Sequence, residues 1–140
     1  MSLSLRPGEP RDKDRLDVLL SAEKMQGQFP PEAFTICEAD GVLAGAIRVE
    51  IMDDRPWIRP IVVGDAYQGS GIGTALVEAA LAEYGILLAV ARGAALPFYE
   101  RLRFERIDWD EVPGELWHEC DSCPDIGKCG PVPIMCVRER

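Results

Sequence analysis

The sequence is poor in histidine and has no long apolar run. Its 140 residues include one histidine, so the serine–histidine and cysteine–histidine pairs of covalent catalysis are not persuasive. No apolar run approaches the roughly 20 residues that a membrane helix needs. The N-terminus also lacks the basic, apolar and small-residue regions of a signal peptide. We therefore expect a cytoplasmic protein with no membrane partner.

Basic residues are also in deficit. The chain has 15 Lys and Arg residues and 24 Asp and Glu residues, which gives a net charge of −9. This balance argues against nucleic acid as the main partner, because phosphate binding needs a basic footprint. It is compatible with an amine substrate. The 47% apolar and 28% charged content is typical of a folded protein, and the length predicts a single domain over residues 1–140.

Strand-like and helix-like segments alternate along the chain. Hairpin signals come first, including Asp40-Gly41 between two strands, and a strand–helix–strand unit follows. This order predicts an α/β protein, with an α+β mixed sheet flanked by helices. The predicted strands are Leu3–Leu5, Phe34–Ala39, Val42–Ile51, Trp57–Val63, Ile86–Val90, Phe104–Trp109 and Ile134–Val137, and the predicted helices are Asp12–Met25, Gly71–Tyr84 and Ala94–Leu102.

A glycine-rich turn, Gln68 to Gly73, joins a buried strand to a helix. The first amides of a helix have no partner within it, and the helix dipole adds partial positive charge. Glycines let the backbone approach a ligand closely. The turn therefore suits a pyrophosphate held by main-chain donors. It lacks the lysine of a Walker P-loop, and its Gly-x-Gly-x-Gly spacing differs from the dinucleotide fingerprint.

Two segments together resemble a known family. The first is Gln68-x-x-Gly71-x-Gly73, and the second is LLAVARGAALPFYERLRF, from Leu87 to Phe104, which contains the pattern FYExLxF. In this order and spacing they resemble the GNAT superfamily of N-acetyltransferases. The resemblance spans roughly residues 3 to 109 and includes the last strand. It implies a central, mostly antiparallel, twisted sheet flanked by helices.

The resemblance also implies a function and a set of site residues. The reaction would be direct transfer of an acetyl group from acetyl-coenzyme A to the primary amine of a small molecule or peptide. Tyr99 would protonate the leaving thiolate, and Glu50, or one of the neighbouring Asp53 and Asp54, would be the base. The coenzyme would be bound by the main chain of Ile61, Val62 and Val63 and, at its pyrophosphate, by Gln68, Gly69, Gly71, Ile72, Gly73 and Thr74.

Two positions depart from the family pattern. Arg92 stands where the family commonly has asparagine, seven residues before the tyrosine. Arg103 replaces the glycine that usually precedes the phenylalanine of the second segment. Neither change touches the proposed pyrophosphate cradle, but Arg92 alters the hydrogen bonding expected beside the coenzyme arm.

The C-terminal part is rich in cysteine. His118, Cys120, Cys123, Cys129 and Cys136 fall within 19 residues, and the stretch from Cys120 to Pro133 is predicted to be a loop between the last two strands. A structural zinc on Cys120, Cys123 and Cys129 is one reading. Reduced thiols or a reversible disulfide are another, and an iron–sulfur cluster is a third. Cys136 in the last strand and the isolated Cys37 are typical of buried, inert thiols.

Two functional alternatives stay open. The chain could be a non-catalytic module that binds acyl-coenzyme A and senses metal or redox state through its cysteine-rich tail. It could also be a metal-binding interaction domain without affinity for coenzyme A. A homodimer is compatible with each reading.

Overall fold

The computed structural model describes residues 1–22, 29–121 and 129–138, with only the backbone described for residues 119–121. No helix in these ranges is both long and apolar enough to span a membrane. The elements within them are, in chain order, β1 (Leu3–Pro7), α1 (Lys13–Ala22), β2 (Phe34–Ala39), β3 (Val42–Met52), β4 (Arg55–Val63), α2 (Ile72–Tyr84), β5 (Ile86–Ala91), α3 (Leu96–Arg101), β6 (Glu105–Arg106), α4 (Gly114–Asp121) and β7 (Val132–Val137).

The strands form one seven-stranded sheet in the order β1-β2-β3-β4-β5-β7-β6. Pairs β1–β2 and β2–β3 are antiparallel, as are β5–β7 and β6–β7. Strands β4 and β5 are parallel, with Trp57 opposite Leu88. The predicted mixed α/β class, with a largely antiparallel sheet flanked by helices, is confirmed.

The chain forms two compact units. The N-terminal unit contains residues 1–50 and 58–83, and the C-terminal unit contains residues 51–57 and 84–140. The apolar face of α1 packs in the core of the N-terminal unit, which buries Leu16, Leu19, Leu20, Phe34, Ile36, Leu43, Ala46 and Val62. The helical spacing of the three leucines explains why one face of α1 is buried while its charged residues stay outside.

One ion pair fixes the start of α1. The Arg6 guanidinium donates two hydrogen bonds of 2.8 Å to the Asp12 carboxylate, which also accepts the Glu9 amide at 2.8 Å. The Asp12 side chain is only 7% exposed. The hydrogen bonds from Arg6 lower the pKa of Asp12 to about 2, against the opposing effect of burial. A buried carboxylate is thus kept charged by donors placed around it.

The C-terminal unit has its own apolar core. Trp57, Leu88, Val112 and Leu116 are buried together. Leu116 comes from α4, a helix that continues to Asp121 and so enters the segment predicted as a cysteine-rich loop; that part of the 118–136 prediction is wrong. The helix follows Pro113, whose carbonyl accepts the Trp117 amide at 3.0 Å. Proline at this place leaves the first helical turn intact because its missing N–H is not needed there.

Other predicted boundaries also need correction. The strand predicted over Phe104–Trp109 is reduced to the two residues of β6, because a 3₁₀ turn begins at Trp109. The break predicted at residues 53–56 is a two-residue turn, with φ of 51° at Asp53 and 61° at Asp54, and β4 already begins at Arg55. Such paired left-handed residues close the tight hairpins that suit twisted strands. The predicted end of the first helix at Met25 lies outside the described residues.

Candidate functional site

The glycine-rich turn leaves β4 through a short hydrogen-bonded path. The Gly64 amide donates to the Ala44 carbonyl of β3 at 2.8 Å, and the Tyr67 amide donates to the Gly64 carbonyl at 2.8 Å. The Ser70 hydroxyl and amide both donate to the Tyr67 carbonyl. These hydrogen bonds therefore fix the backbone as far as Ser70, two residues before α2 begins.

Two glycines of the turn have left-handed backbones. Gly69 has φ of 79° and Gly71 has φ of 86°, and apart from the chain neighbours no atom of the described residues lies within 4 Å of a Cβ placed on either. L-residues with a side chain rarely adopt this conformation. Glycine is therefore required at these two positions by the backbone conformation and not by a lack of space for a side chain. The space beside them is open to a ligand.

In the part of the chain that the structure describes, the amides at the start of α2 lack backbone acceptors. The first helical hydrogen bond runs from the Ala75 amide to the Gly71 carbonyl at 3.0 Å. Among the described residues, no carbonyl accepts from the amides of the preceding turn, namely Gly69, Gly71, Ile72, Gly73 and Thr74. Unsatisfied donors at a helix N-terminus form a ready anion site. We call these five residues and Gln68 the amide cradle.

A glycine in β3 lets α2 approach the sheet. A Cβ on Gly45 would lie 2.8 Å from Ile72 Cγ2 and 2.9 Å from the Val62 carbonyl oxygen. Real Cβ atoms do not come this close to their neighbours, so only glycine fits without a shift of the helix or the strand. Gly45 therefore helps to set where the first turn of α2 sits within the N-terminal unit. The sequence analysis did not single it out.

The strand before the turn contains the three residues predicted to face the coenzyme arm. Val62 is buried in the core of the N-terminal unit, whereas Ile61 and Val63 are half-buried. All three belong to β4, as predicted.

Tyr99 lies on α3 in the C-terminal unit. Its ring makes edge-to-face contacts with Phe98 and Phe104, with centroids 5.0 and 5.1 Å away, and the residue is 5% exposed. Burial raises the pKa of Tyr99 to about 12. The phenol therefore stays protonated at neutral pH.

The two departures from the family pattern lie at either end of α3. Arg92 precedes the 3₁₀ turn Gly93–Ala95, whose last amide donates to the Arg92 carbonyl at 2.9 Å. Arg103 follows the helix with φ of 68°. Arg103 thus has a left-handed backbone, the conformation that glycine favours at the end of a helix.

Glu50 is held by two arginines of the N-terminal unit. Its Oε1 accepts from Arg48 at 3.2 Å and its Oε2 accepts from Arg59 at 2.9 Å. Arg48 also donates to the Arg59 carbonyl at 2.9 Å, and its guanidinium lies 3.9 Å above the Phe29 ring. The sequence placed Glu50 near the site as a base but did not predict these partners. Asp53 and Asp54 are exposed in their hairpin turn.

The described cysteines are not clustered. Cys37 and Cys136 are buried, as predicted, and Cys129 is half-buried; none of the three forms a disulfide with another described residue. Burial raises the pKa of Cys37. Within the described residues, no group of three histidine, cysteine or acidic side chains could hold a metal. Cys123 lies outside those residues and the Cys120 side chain is not described, so the structure does not support the predicted zinc site.

A comparison with known proteins identifies the family of this chain. The family model described as "Acetyltransferase (GNAT) domain" matches residues 30–106, more than half of the chain. The chain therefore belongs to the GNAT acetyltransferase family. An uncharacterized N-acetyltransferase from Chlorobaculum tepidum is 27% identical over 81 residues, which are 56% of this chain and 52% of that protein. This chain thus spans about half of that relative's length.

Solved structures share the fold. N-acetylglutamate synthase from Neisseria gonorrhoeae, complexed with coenzyme A and N-acetyl-glutamate, has a TM-score of 0.78 and 19% identity, covering 100% of this chain and 36% of that one. An Arabidopsis thaliana protein with the bisubstrate analogue CoA-Ac-MVNAL has a TM-score of 0.70 and 16% identity, covering 99% and 100% of the two chains. At these identities the likeness shows the fold alone.

Proposed function

We propose that this chain transfers the acetyl group of acetyl-coenzyme A to a primary amine by direct transfer. The observation that carries the proposal is the amide cradle at the start of α2, in which five backbone amides donate to no carbonyl of the described residues. Family membership and the coenzyme A complexes of its structural neighbours support the choice of ligand. The amine could belong to a small molecule or to a peptide.

The cradle would bind the pyrophosphate of the coenzyme. Gln68, Gly69, Gly71, Ile72, Gly73 and Thr74 would surround it, with the amides donating to phosphate oxygens. Charge-assisted hydrogen bonds of this kind are stronger than neutral ones. The open space at Gly69 and Gly71 fits a group that approaches the backbone closely. The main chain of Ile61, Val62 and Val63 would pair with the amides of the coenzyme arm.

Tyr99 would donate a proton to the leaving sulfur. When the amine nitrogen attacks the thioester carbonyl, the C–S bond breaks and the thiolate takes a proton. A phenol with a pKa of about 12 has the proton to offer. Transfer to a thiolate is uphill, because an ordinary thiol has a pKa of about 8.5. Tyr99 would therefore act first as a hydrogen-bond donor to the developing charge, and its proton would move as the thiol departs. Solvent would then return a proton to the phenolate, while the base releases the proton that it took from the amine.

Glu50 would accept the proton of the attacking amine, directly or through water. Its carboxylate is 32% exposed and keeps lone pairs beyond the two contacts with Arg48 and Arg59. Glu50→Gln tests this role. It should lower kcat for every acceptor, whatever the acceptor's charge. An unchanged kcat would assign the base elsewhere.

Calorimetric titration with coenzyme A tests the cradle, and the chain offers a matched control. Gly71→Ala should weaken binding about tenfold to a hundredfold, the cost of one charge-assisted hydrogen bond. Gly41 has nearly the same φ, 84°, and the same open space, but lies in the β2–β3 turn. Gly41→Ala should carry the same strain without changing affinity. Equal affinities for the two variants, or no binding by the folded wild type, would refute the cradle.

Turnover tests the enzyme against its alternatives. Acetyl-coenzyme A consumption should be measured with a panel of polyamines, amino acids and peptides. Tyr99→Phe should lower kcat about 10²-fold to 10⁴-fold while the affinity for coenzyme A is unchanged. Coenzyme binding without turnover on any acceptor would favour the non-catalytic module, and no binding would favour the metal-binding interaction domain.

Three further expectations accompany the proposal. The protein would be cytoplasmic, a homodimer is compatible with it, and the cysteine-rich tail would shape acceptor selectivity. The tail would hold a structural zinc or an iron–sulfur cluster, or its thiols would stay reduced or form a reversible disulfide. Metal analysis of protein purified under reducing conditions distinguishes these states, and a metal-free result would remove the structural zinc.

A further inference from the structure

Strand β1 lies at an edge of the sheet. Within the described residues it pairs with β2 alone. An edge strand presents a row of backbone N–H and C=O groups that can pair with a further strand. The opposite edge is β6, which consists of two exposed, charged residues, Glu105 and Arg106. Short and charged edge strands discourage pairing. The edge at which a strand can be added is therefore β1.

The register of β1 decides which of its backbone groups point outward. The strand pairs with β2 in one register without a shift. At the two ends of this ladder, the Ser2 carbonyl accepts from the turn after β2 at 2.8 Å, and the Gly8 amide donates to the first residue of β2 at 2.9 Å. In an antiparallel pair, residues that exchange hydrogen bonds alternate with residues that do not. The even-numbered residues of β1 therefore bond to β2, and Leu3, Leu5 and Pro7 direct their backbone groups outward.

Pro7 agrees with this assignment and closes one end of the edge. Proline has no N–H to donate, so within a sheet it is confined to positions that need none. The Pro7 carbonyl accepts from the Arg6 guanidinium at 3.1 Å. The outward groups that remain are the amide and the carbonyl of Leu3 and of Leu5. In the part of the chain that the structure describes, no group is hydrogen-bonded to them.

The side chains of the same two leucines are exposed. Leu3 is 36% and Leu5 is 41% exposed, and both lie on one face of the sheet, opposite the buried Ala39 and Cys37 of β2. Apolar side chains next to unpaired backbone groups favour association with another strand.

This edge is complementary to a second copy of itself. When two β1 strands pair antiparallel about a two-fold axis at Ser4, Leu3 of each copy lies opposite Leu5 of the other. These are hydrogen-bonded pairs, so they use the outward amide and carbonyl of both leucines in each copy. The leucine side chains of the two copies then meet on one face of the joined sheet. On the other face Ser4 lies opposite Ser4 and Arg6 lies opposite Ser2, so no like charges oppose each other.

We propose that the chain forms a homodimer in which two β1 strands pair antiparallel, Leu3 with Leu5, and join the sheets of the two copies. The partner is a second copy because the outward groups of β1 and the charges beside them match the same strand turned by the two-fold axis. Each copy contributes a strand of five residues. A contact of this size gives a weak, concentration-dependent dimer. The inference goes beyond the proposed function and does not depend on the binding of coenzyme A.

Sedimentation equilibrium and amide hydrogen exchange test the dimer and its register. Over a concentration series from about 1 μM to about 1 mM, the mass should rise from one chain toward two. In NMR exchange measurements, the Leu3 and Leu5 amides should exchange at least about tenfold more slowly in concentrated than in dilute samples. The Ser4 and Arg6 amides, which bond to β2, should exchange equally in both. A single-chain mass throughout refutes the dimer, and unchanged exchange at Leu3 and Leu5 in a dimeric sample refutes this interface.

A charge swap on the two leucines tests the pairing by a second route. The doubly substituted variants Leu3→Glu with Leu5→Glu and Leu3→Lys with Leu5→Lys should each be monomeric, because like charges then lie opposite each other. An equal mixture of the two should recover the dimer, because glutamate of one copy then lies opposite lysine of the other. Recovery in the mixture also shows that both variants are folded.

Ile51 provides the control for added charge. It is 56% exposed, but it lies on β3, which has neighbouring strands on both sides. Ile51→Lys should dimerise like wild type. The proposal is overturned if either doubly charged variant dimerises alone as wild type does. It is also overturned if their mixture stays monomeric while circular dichroism shows both variants to be folded.

Discussion

Replacement of Asp12 by asparagine should reveal how much the ion pair at the start of α1 stabilises the fold. The Asp12 carboxylate is 7% exposed and receives two guanidinium hydrogen bonds and one amide hydrogen bond. Its pKa falls from the ordinary 3.8 to about 2. A difference of this size between the folded and unfolded chains is worth about 2 kcal/mol at neutral pH.

The pH dependence follows from the sign of this shift. Because the pKa is lower in the folded chain, the charged carboxylate stabilises the fold fully above pH 3.8. The stabilisation shrinks as the pH falls from about 4 toward 2. The free energy of unfolding of wild type should therefore exceed that of Asp12→Asn by about 2 kcal/mol at pH 7 and by about 1 kcal/mol at pH 3. Because the other carboxylates titrate in both proteins, their contribution cancels in the difference between the two free energies of unfolding.

Urea unfolding followed by tryptophan fluorescence measures these free energies. Asp17 supplies the control, because it also accepts from a basic side chain, Lys13 at 2.8 Å, but both side chains are more than half exposed. Asp17→Asn should change the free energy of unfolding by less than about 0.5 kcal/mol. The reasoning is refuted if Asp12→Asn costs no more than Asp17→Asn, or if its cost is the same at pH 7 and pH 3.

Two further predictions concern backbone positions. Gly45→Ala should lower the free energy of unfolding by about 1–3 kcal/mol, because its Cβ would overlap Ile72 and the Val62 carbonyl. Gly114→Ala, whose Cβ meets no atom within 4 Å, is the control, and denaturant unfolding showing equal effects would contradict the packing argument. At Arg103, where φ is 68°, the glycine variant should be about 1 kcal/mol more stable than the alanine variant. Equal melting midpoints for these two variants would show that the left-handed backbone carries no strain.

Elements with strong local signals could be predicted from the sequence. The hairpin of β2 and β3 was predicted to within one residue, because its apolar strands flank Asp40-Gly41. The glycine-rich turn and α2 were also located correctly. Alternate glycines after a buried strand are a strong local signal for a turn, because glycine disfavours the interior of helices and strands. These segments contain most of the residues assigned to the coenzyme.

Elements that depend on contacts between distant parts of the chain could not be predicted from the sequence. Helix α4 has few helical signals of its own, and Leu116 is buried against Trp57, about 60 positions earlier in the chain. The last part of the predicted strand at Phe104–Trp109 is replaced by a 3₁₀ turn. Local propensity is a weak guide where tertiary packing decides the backbone conformation.

The sequence by itself determined the family and located the glycine-rich turn, and it singled out Tyr99 as a candidate site residue, because each depends on residues that are close together in the chain. Only the tertiary structure decided the surroundings of those residues. It brought Arg48 and Arg59 to the two oxygens of Glu50 and placed Gly45 against Ile72. It also surrounded Tyr99 with aromatic rings, which raises its pKa. Charge pairing and burial depend on distances in space, and a linear pattern does not contain those distances.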